Sequence, residues 1–349
     1  QYFYKIYAYN GSGTGINYRQ TSPLPGNVTT SSPPAATANL ALSSVTNSFT
    51  SDLNAVRFVT STTAYAVGSN GLAIRTNDSG ASWTTLTTGA TTTLWNVLFS
   101  NLTTGYIVGS AGLALKTTNS GTSWTTLTTG TANDLYAISF PTDNIGYMAG
   151  AAGTIIKTTN GGSSWTTLNS GVTGTYFNTI VFLDANIGMA SGPNGIIRTT
   201  DGGTTWTTVS TEKILWLTFP TSTMGYGVGE AGVVVKTTNG GVSWTTQLSN
   251  TSDRLWGAYF TSADIGFAVG ENGTAIKTSN GGTSWSNFTT DLANNEVLYA
   301  IHFGTVTEGI AVGEVGTILQ TIAEAPPITI SATNFKTEIP KDGNTQVSI

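Results

Sequence analysis

The sequence predicts an all-β protein: a seven-bladed β-propeller of four-stranded blades, closed by an N-terminal strand and flanked by partial β-sandwich segments. Three observations predict it. A G-x-x-G turn recurs seven times, beginning at Gly68, Gly109, Gly150, Gly192, Gly229, Gly270 and Gly313, at spacings of 37 to 43 residues. A hairpin of the form T-x-[ND]-x-G-x-[ST]-W follows six of these turns, with its tryptophan at Trp83, Trp124, Trp165, Trp206, Trp244 and Trp285. Each repeat reads as four short strands separated by turn residues, without helical periodicity. A period of about 40 residues marks a propeller or a solenoid, and four strands per period select the propeller.

Residues 135–168 show the unit: LYAISF, GYMAG, TIIKTT and SWTTL. The first strand is strongly apolar, which places it nearest the axis between two neighbouring blades. The second ends in the G-x-x-G turn, where glycines reach positive φ. The third ends in Lys or Arg followed by Thr. In the next hairpin the Asn or Asp bonds backbone N–H groups. The tryptophan opens the outer strand and is expected to pack on the next blade. Blade seven has LYAIHF, GIAVG and GTILQT, but IAEAPP follows in place of a tryptophan hairpin. Upstream of blade one, ANLALSS at 38–44 alternates like an outer strand and has no inner partners of its own. It is expected to supply the fourth strand of blade seven, which removes two exposed sheet edges. The expected organisation is therefore terminal sandwich strands at 1–23, a Pro/Ser/Thr linker at 24–37, the propeller at 38–323, and a linker with opening strands or a donor strand at 324–349.

Composition narrows the function. Only 9% of residues are charged, 39% are hydrophobic, and the net charge is -5. That balance argues against nucleic acid as the main partner, because phosphate binding needs a basic surface. The absence of cysteine excludes thiolate metal sites and cysteine nucleophiles. No apolar run reaches the length of a membrane span, so membrane insertion is not expected. Gly- and Thr-rich β composition with few charges suits a secreted, extracellular or cell-surface protein of bacterial type. The start at Gln1 reads as a piece of a longer product. No Gly-rich phosphate motif opens a helix, and no cofactor or metal is expected.

The hairpins resemble the Asp-box of BNR-type repeats, S/T-x-D-x-G-x-x-W. Asp is present at Asp78 and Asp201, and Asn replaces it at Asn119, Asn160, Asn239 and Asn280. The fuller pattern, G-x-x-G-x-i-x-[KR]-T-x-[ND]-G-G-x-x-W, is similar to that of the seven-bladed photosystem II assembly-factor-like propellers. The resemblance covers about four-fifths of the chain and implies the fold. Photosynthetic members are noted for a basic patch, whereas this chain has Arg only at 19, 57, 75, 198 and 254, with Arg75 and Arg198 at the routine repeat position. Sialidases share the Asp-box but need a converging arginine triad, and xyloglucanase-like enzymes need a cleft between two propellers. At the N-terminus, Tyr2, Tyr4, Ile6, Ala8, Asn10 and Gly13 resemble the penultimate strand and following turn of a fibronectin type III domain, with INYRQTS as its last strand.

Two constellations depart from the repeat. The turns of blades five to seven read GEAG, GENG and GEVG, which places Glu230, Glu271 and Glu314 at equivalent positions on three adjacent blades. They read either as a sector attracting a cation or basic partner or as solvated turn residues. On the same face, aligning the first strands puts Asn54, Trp95, Tyr136, Asn178, Leu215, Trp256 and Tyr299 in one ring. These aromatics read either as a surface for sugar rings or peptide or as inter-blade core. The hairpin tryptophans read as structural, and so does the single histidine, His302. The expectation is a non-enzymatic interaction module, part of a large surface protein or a filament whose chain ends complement one another. Its partners are protein, including copies of itself. The alternative is a carbohydrate-binding propeller or a relative of glycoside hydrolases.

Overall fold

A computed structural model describes residues 40–292 and 296–323, all within the compact unit Ala36–Ile349. The sandwich strands expected at 1–23, the linker at 24–37 and the segment 324–349 lie outside the described residues. The chain forms seven four-stranded antiparallel sheets. Blade one is Leu53–Phe58, Ala64–Gly68, Ala73–Thr76 and Thr84–Thr85, running outward from the axis. The first strands are Leu53–Phe58, Leu94–Phe99, Leu135–Ser139, Thr179–Phe182, Ile214–Thr218, Leu255–Phe260 and Leu298–Phe303. Each touches the next, and the last touches the first, so they form a closed ring around the axis.

Burial follows from that ring. Second strands such as Gly105–Gly109 and Gly146–Gly150 are buried at every residue, because a neighbouring blade covers each face. Outer strands such as Thr84–Thr85 and Thr125–Thr126 are exposed. Threonine therefore dominates the rim, where β propensity is wanted without apolar surface.

One aromatic device joins most blades. Tyr65, Tyr106, Tyr147 and Tyr226 of one blade stack on Phe99, Phe140, Phe182 and Phe260 of the next, with ring centroids 3.4 to 4.3 Å apart. The hairpin tryptophan of that second blade meets the same Phe edge-on, as Trp165 does with Phe140 at 6.1 Å. Each such pair adds about 0.5–1.5 kcal/mol beyond its area burial. The tryptophans thus pack toward the preceding blade, not the following one as expected. The tyrosine sets this direction: its hydroxyl reaches forward to a hairpin carbonyl, as Tyr106 does to Gly161 O at 3.0 Å. The hairpin is held over the seam behind its own blade. Lys116 Nζ donates to the same carbonyl at 2.6 Å. Lys157, Lys236 and Arg198 make equivalent bonds to Gly202, Gly281 and Gly240. The repeat's basic position is spent on inter-blade fastening.

The G-x-x-G turn differs from its sequence reading. Its first glycine is extended, with φ -164° at Gly68, and is required for space, since a Cβ there would collide with the Asp52 carbonyl. The left-handed pair is the third and fourth residues, Asn70 at φ 57° and Gly71 at φ 72°. In blade seven the third residue is Val315, at φ 50°, a conformation costly for a β-branched side chain.

The seventh sheet joins Leu298–Phe303, Gly309–Gly313 and Ile318–Ala323 to Leu40–Ser44. The strand Leu40–Ser44 runs antiparallel to Ile318–Ala323, with Leu42 opposite Thr321. Leu40 and Leu42 are buried in one cluster with Phe267, Phe288, Phe303 and Leu319.

Candidate binding face

The turns after the second strands and the starts of the first strands share one face of the disc. A first strand opens with a buried Leu or Ile opposite the turn glycine, and the pairing register then shifts by one residue, as between Leu94 and Asn96. The bulged residue is the ring position singled out by sequence. A bulge re-aims its side chain out of the ladder, and in blades two, three, six and seven that residue is Trp95, Tyr136, Trp256 and Tyr299. All four are half-buried, whereas Leu215 is buried. They are neither pure core nor freely solvated.

The aromatics fall into two arcs. Trp95 meets Tyr136 edge-on at 5.4 Å, and Tyr136 meets Tyr176 at 6.1 Å. Trp95 Nε1 donates to Ser110 Oγ at 3.0 Å. In the second arc Trp256 meets Tyr299 at 5.9 Å. Between the arcs, Asn54 Nδ2 donates to Leu94 O at 2.9 Å. Tyr176, which sequence reading missed, is 40% exposed and extends the first arc outward.

The three glutamates are on this face, each opening its turn, and two of them share the chain's own Arg254. Arg254 Nε contacts Glu230 Oε2 at 2.9 Å, and another guanidinium nitrogen contacts Glu271 Oε1 at 2.9 Å. The bond to Glu230, followed by the nearby charges of both glutamates, raises the Arg254 pKa against the opposing effect of burial. The guanidinium lies over the Trp256 ring, 5.1 Å from its centroid. Glu314 instead accepts from the Tyr299 hydroxyl at 3.2 Å. Burial, then Glu314, drive the Tyr299 pKa well above the usual tyrosine range. Arg254 is the chain's own cation in this sector and meets two of its three carboxylates. Among the described residues no cluster of three His, Cys, Asp or Glu is disposed to hold a metal ion.

A signal for Arg254 existed in the repeat. Aligned on the buried opening residue, the preceding position is Asp52 and Asp134 in blades one and three, but Lys213 and Arg254 in blades five and six. Glutamate enters the turns of the two blades where this position turns basic. In blades one and three the Asp serves the neighbouring turn: Asp52 accepts from Val315 N at 2.9 Å and Asp134 from Ala111 N at 2.7 Å.

The hairpin residues lie elsewhere and are structural. Thr76 Oγ1 donates to Asp78 Oδ1 at 2.7 Å and accepts from Gly80 N at 2.9 Å, while Asp78 accepts from Ser82 N at 2.9 Å. The same frame recurs at Asn119, Asn160, Asp201, Asn239 and Asn280. Bonds from Ser82 and Thr76 hold the Asp78 carboxyl down to about 2, and those from Thr205 and Thr199 do so for Asp201. Trp83, Trp124, Trp165, Trp206 and Trp244 are half-buried and Trp285 is buried. The Trp83 and Trp206 indoles donate to Gly80 O and Gly203 O. His302 is buried in blade seven.

A family model for the photosynthesis system II assembly factor YCF48 matches residues 34–132 and 117–251. No curated protein matches the chain. Among solved structures, "YCF48 bound to D1 peptide" superposes with a TM-score of 0.67 at 18% identity, over 82% of this chain and 97% of that one. YCF48 from Cyanidioschyzon merolae gives 0.67 at 18% identity, over 80% and 98%. A GH74 enzyme from Niastella koreensis also gives 0.67 at 18%, over 80% of this chain but 53% of the enzyme. Identities this low establish the shared propeller and nothing finer. The family model spans more than half the sequence, and the chain belongs to the family of the photosynthesis system II assembly factor YCF48.

Proposed function

We propose that this propeller is a non-enzymatic protein-binding module whose aromatic face docks an extended segment of a partner. The observation that carries this reading is the pair of half-buried arcs around the axis, Trp95–Tyr136–Tyr176 and Trp256–Tyr299. Rigid aromatics with one face packed and one face free lose little entropy on binding and dominate interface energies. The relative whose structure is titled as bound to a D1 peptide supports peptide binding by a propeller of this shape. The three turn glutamates of the face are engaged by Arg254 and Tyr299, which suits a recognition surface better than acid–base chemistry. Low charge with Gly- and Thr-rich β composition supports an extracellular setting, with copies of the chain among its protein partners.

Selection of peptides from a random displayed library on immobilised chain, followed by anisotropy titration, tests this reading. Peptides selected on the wild type should lose about tenfold or more in affinity when Trp95 and Trp256 are both replaced by Ala, as expected for aromatic anchors. Undiminished affinity in that variant would overturn the assignment of the face. The same arcs, with the GH74 likeness, favour carbohydrate as the second reading. Binding on a glycan array that Trp95→Ala and Trp256→Ala abolish, with no peptide enriched, would select it.

A further inference from the structure

The opposite mouth of the axial channel contrasts with the aromatic face. It opens among the turns after the first strands and leads into a cavity of about 970 Å³. The pairing register aligns one further ring along its wall: Arg57, Leu98, Ser139, Val181, Thr218, Tyr259 and His302 each pair with the residue after the glycine, or the small residue, that opens a second strand. Polar side chains occupy this ring on four consecutive blades, five, six, seven and one. All four of these residues, Thr218, Tyr259, His302 and Arg57, line the cavity, as does Val181.

Arg57 is the one positive charge among the residues lining this cavity, and no Asp or Glu is among them. The repeat's other blade arginines are committed: Arg198 and Arg75 to carbonyls, Arg254 to two glutamates. Arg57 is half-buried, and burial lowers its pKa. The titratable groups beside it are Tyr259 and His302. Tyr259 lies 4.2 Å, centroid to centroid, from His302. His302 Nδ1 accepts from Phe58 N at 3.3 Å, so in the neutral ring the other nitrogen carries the proton. Burial first, then Arg57, keeps His302 neutral, well below the usual histidine range. A half-buried guanidinium without a carboxylate gains from an anion that joins it. Here that anion has room, one full positive charge, and a phenol beside it. The approach is mixed, with Leu102, Leu183, Phe219 and Pro220 beside Ser100, Asn101, Thr221 and Ser222.

We propose that the channel binds a small organic monocarboxylate, its carboxylate on Arg57 and Tyr259. One guanidinium matches one planar carboxylate bidentately, whereas a phosphate dianion would exceed the available charge. The site lies at the mouth opposite the aromatic arcs and is independent of peptide binding there.

Calorimetry of the full chain with sodium benzoate, with benzamide as the uncharged match at constant ionic strength, tests it. Benzoate should bind and raise the melting temperature, and benzamide should not. Arg57→Gln should weaken benzoate about tenfold or more, the scale of a charge-assisted bond. Arg57→Lys should keep part of the affinity. If Arg57→Gln fails to fold, guanidinium NMR of the wild type decides: the Arg57 Nε resonance should move with benzoate and stay still with benzamide. Equal responses to the two compounds, or benzoate binding unchanged in Arg57→Gln, would overturn the proposal.

Discussion

Six blades are completed by a local hairpin, and the seventh is completed by a strand from far away in sequence. The chemistry at the two kinds of seam is nearly the same. In the hairpin of blade one, Asp78 accepts from the amide and hydroxyl of Ser82, at 2.9 and 2.5 Å, four residues along. Beside blade seven, Asp291 accepts from the amide and hydroxyl of Ser44, at 2.9 and 2.8 Å, across 247 residues. It also accepts from Ser43 Oγ at 2.9 Å, and Leu42 N donates to Thr289 O at 2.8 Å. The strand Leu40–Ser44 is therefore held on one edge by blade seven and on the other by the connection leaving blade six. A hairpin forms with little loop-closure entropy, whereas the long-range seam must overcome that cost through burial. Leu40 and Leu42, at 4% and 1% exposure, are what the hairpin blades do not need.

The largest effect should come from breaking this burial. Leu42→Asp puts a charge into the cluster with Phe267, Phe288 and Leu319 and should cost about 4 kcal/mol or more. Urea unfolding followed by tryptophan fluorescence would read it. An unchanged midpoint would mean the ring is held without its seventh outer strand. Asp291→Ala comes next, at about 1–2 kcal/mol, because the bonds it removes are charge-assisted but partly solvated. Its deficit should shrink but not vanish in a Ser44→Ala background, because the bonds from the Ser44 amide and Ser43 Oγ remain.

A smaller effect is expected where blades meet through exposed charge. Arg254 bridges blades five and six, with both partners about one-third exposed. Arg254→Met removes two such pairs, each worth about 0.2–1 kcal/mol, and the loss should shrink in high salt. A loss that salt leaves untouched would point to packing on Trp256 instead.

The period, the strand count and the ring of bulged aromatics were legible because they repeat. What did not repeat was hidden. The direction in which Trp124 or Trp165 packs depends on how one blade sits over its neighbour, and a repeated pattern carries no information on that offset. Arg254 was passed over because it occupies a position where two other blades carry Asp. Arg57, Tyr259 and His302 share one structural position but no chemistry, so nothing in the aligned first strands marked them as a group. The paired glutamates were visible, but Arg254 joins Glu271 of its own repeat to Glu230 of the preceding one, a link no single repeat displays.

The smallest effect sharpens the comparison most, because it separates charge from geometry in the local hairpins. In four hairpins Asn does the work of Asp: Asn119 Oδ1 accepts from Ser123 N at 3.0 Å, and its Nδ2 donates to Ser123 Oγ at 2.9 Å, reversing the hydroxyl bond that Asp78 accepts. Asp78→Asn with Asp201→Asn should therefore leave stability near neutral pH almost unchanged. Acid should distinguish them. Both carboxyls sit at about 2 in the folded protein against an ordinary 3.8, so their stabilisation is complete above that ordinary value and is lost as pH falls toward 2. The double variant should show a flatter decline of the urea midpoint between these limits. A decline should remain from Asp291, whose bonds to Ser44 and Ser43 outweigh its burial and lower its pKa. If the double variant declines as steeply as the wild type, the hairpin carboxylates carry no linked stability and act through shape alone.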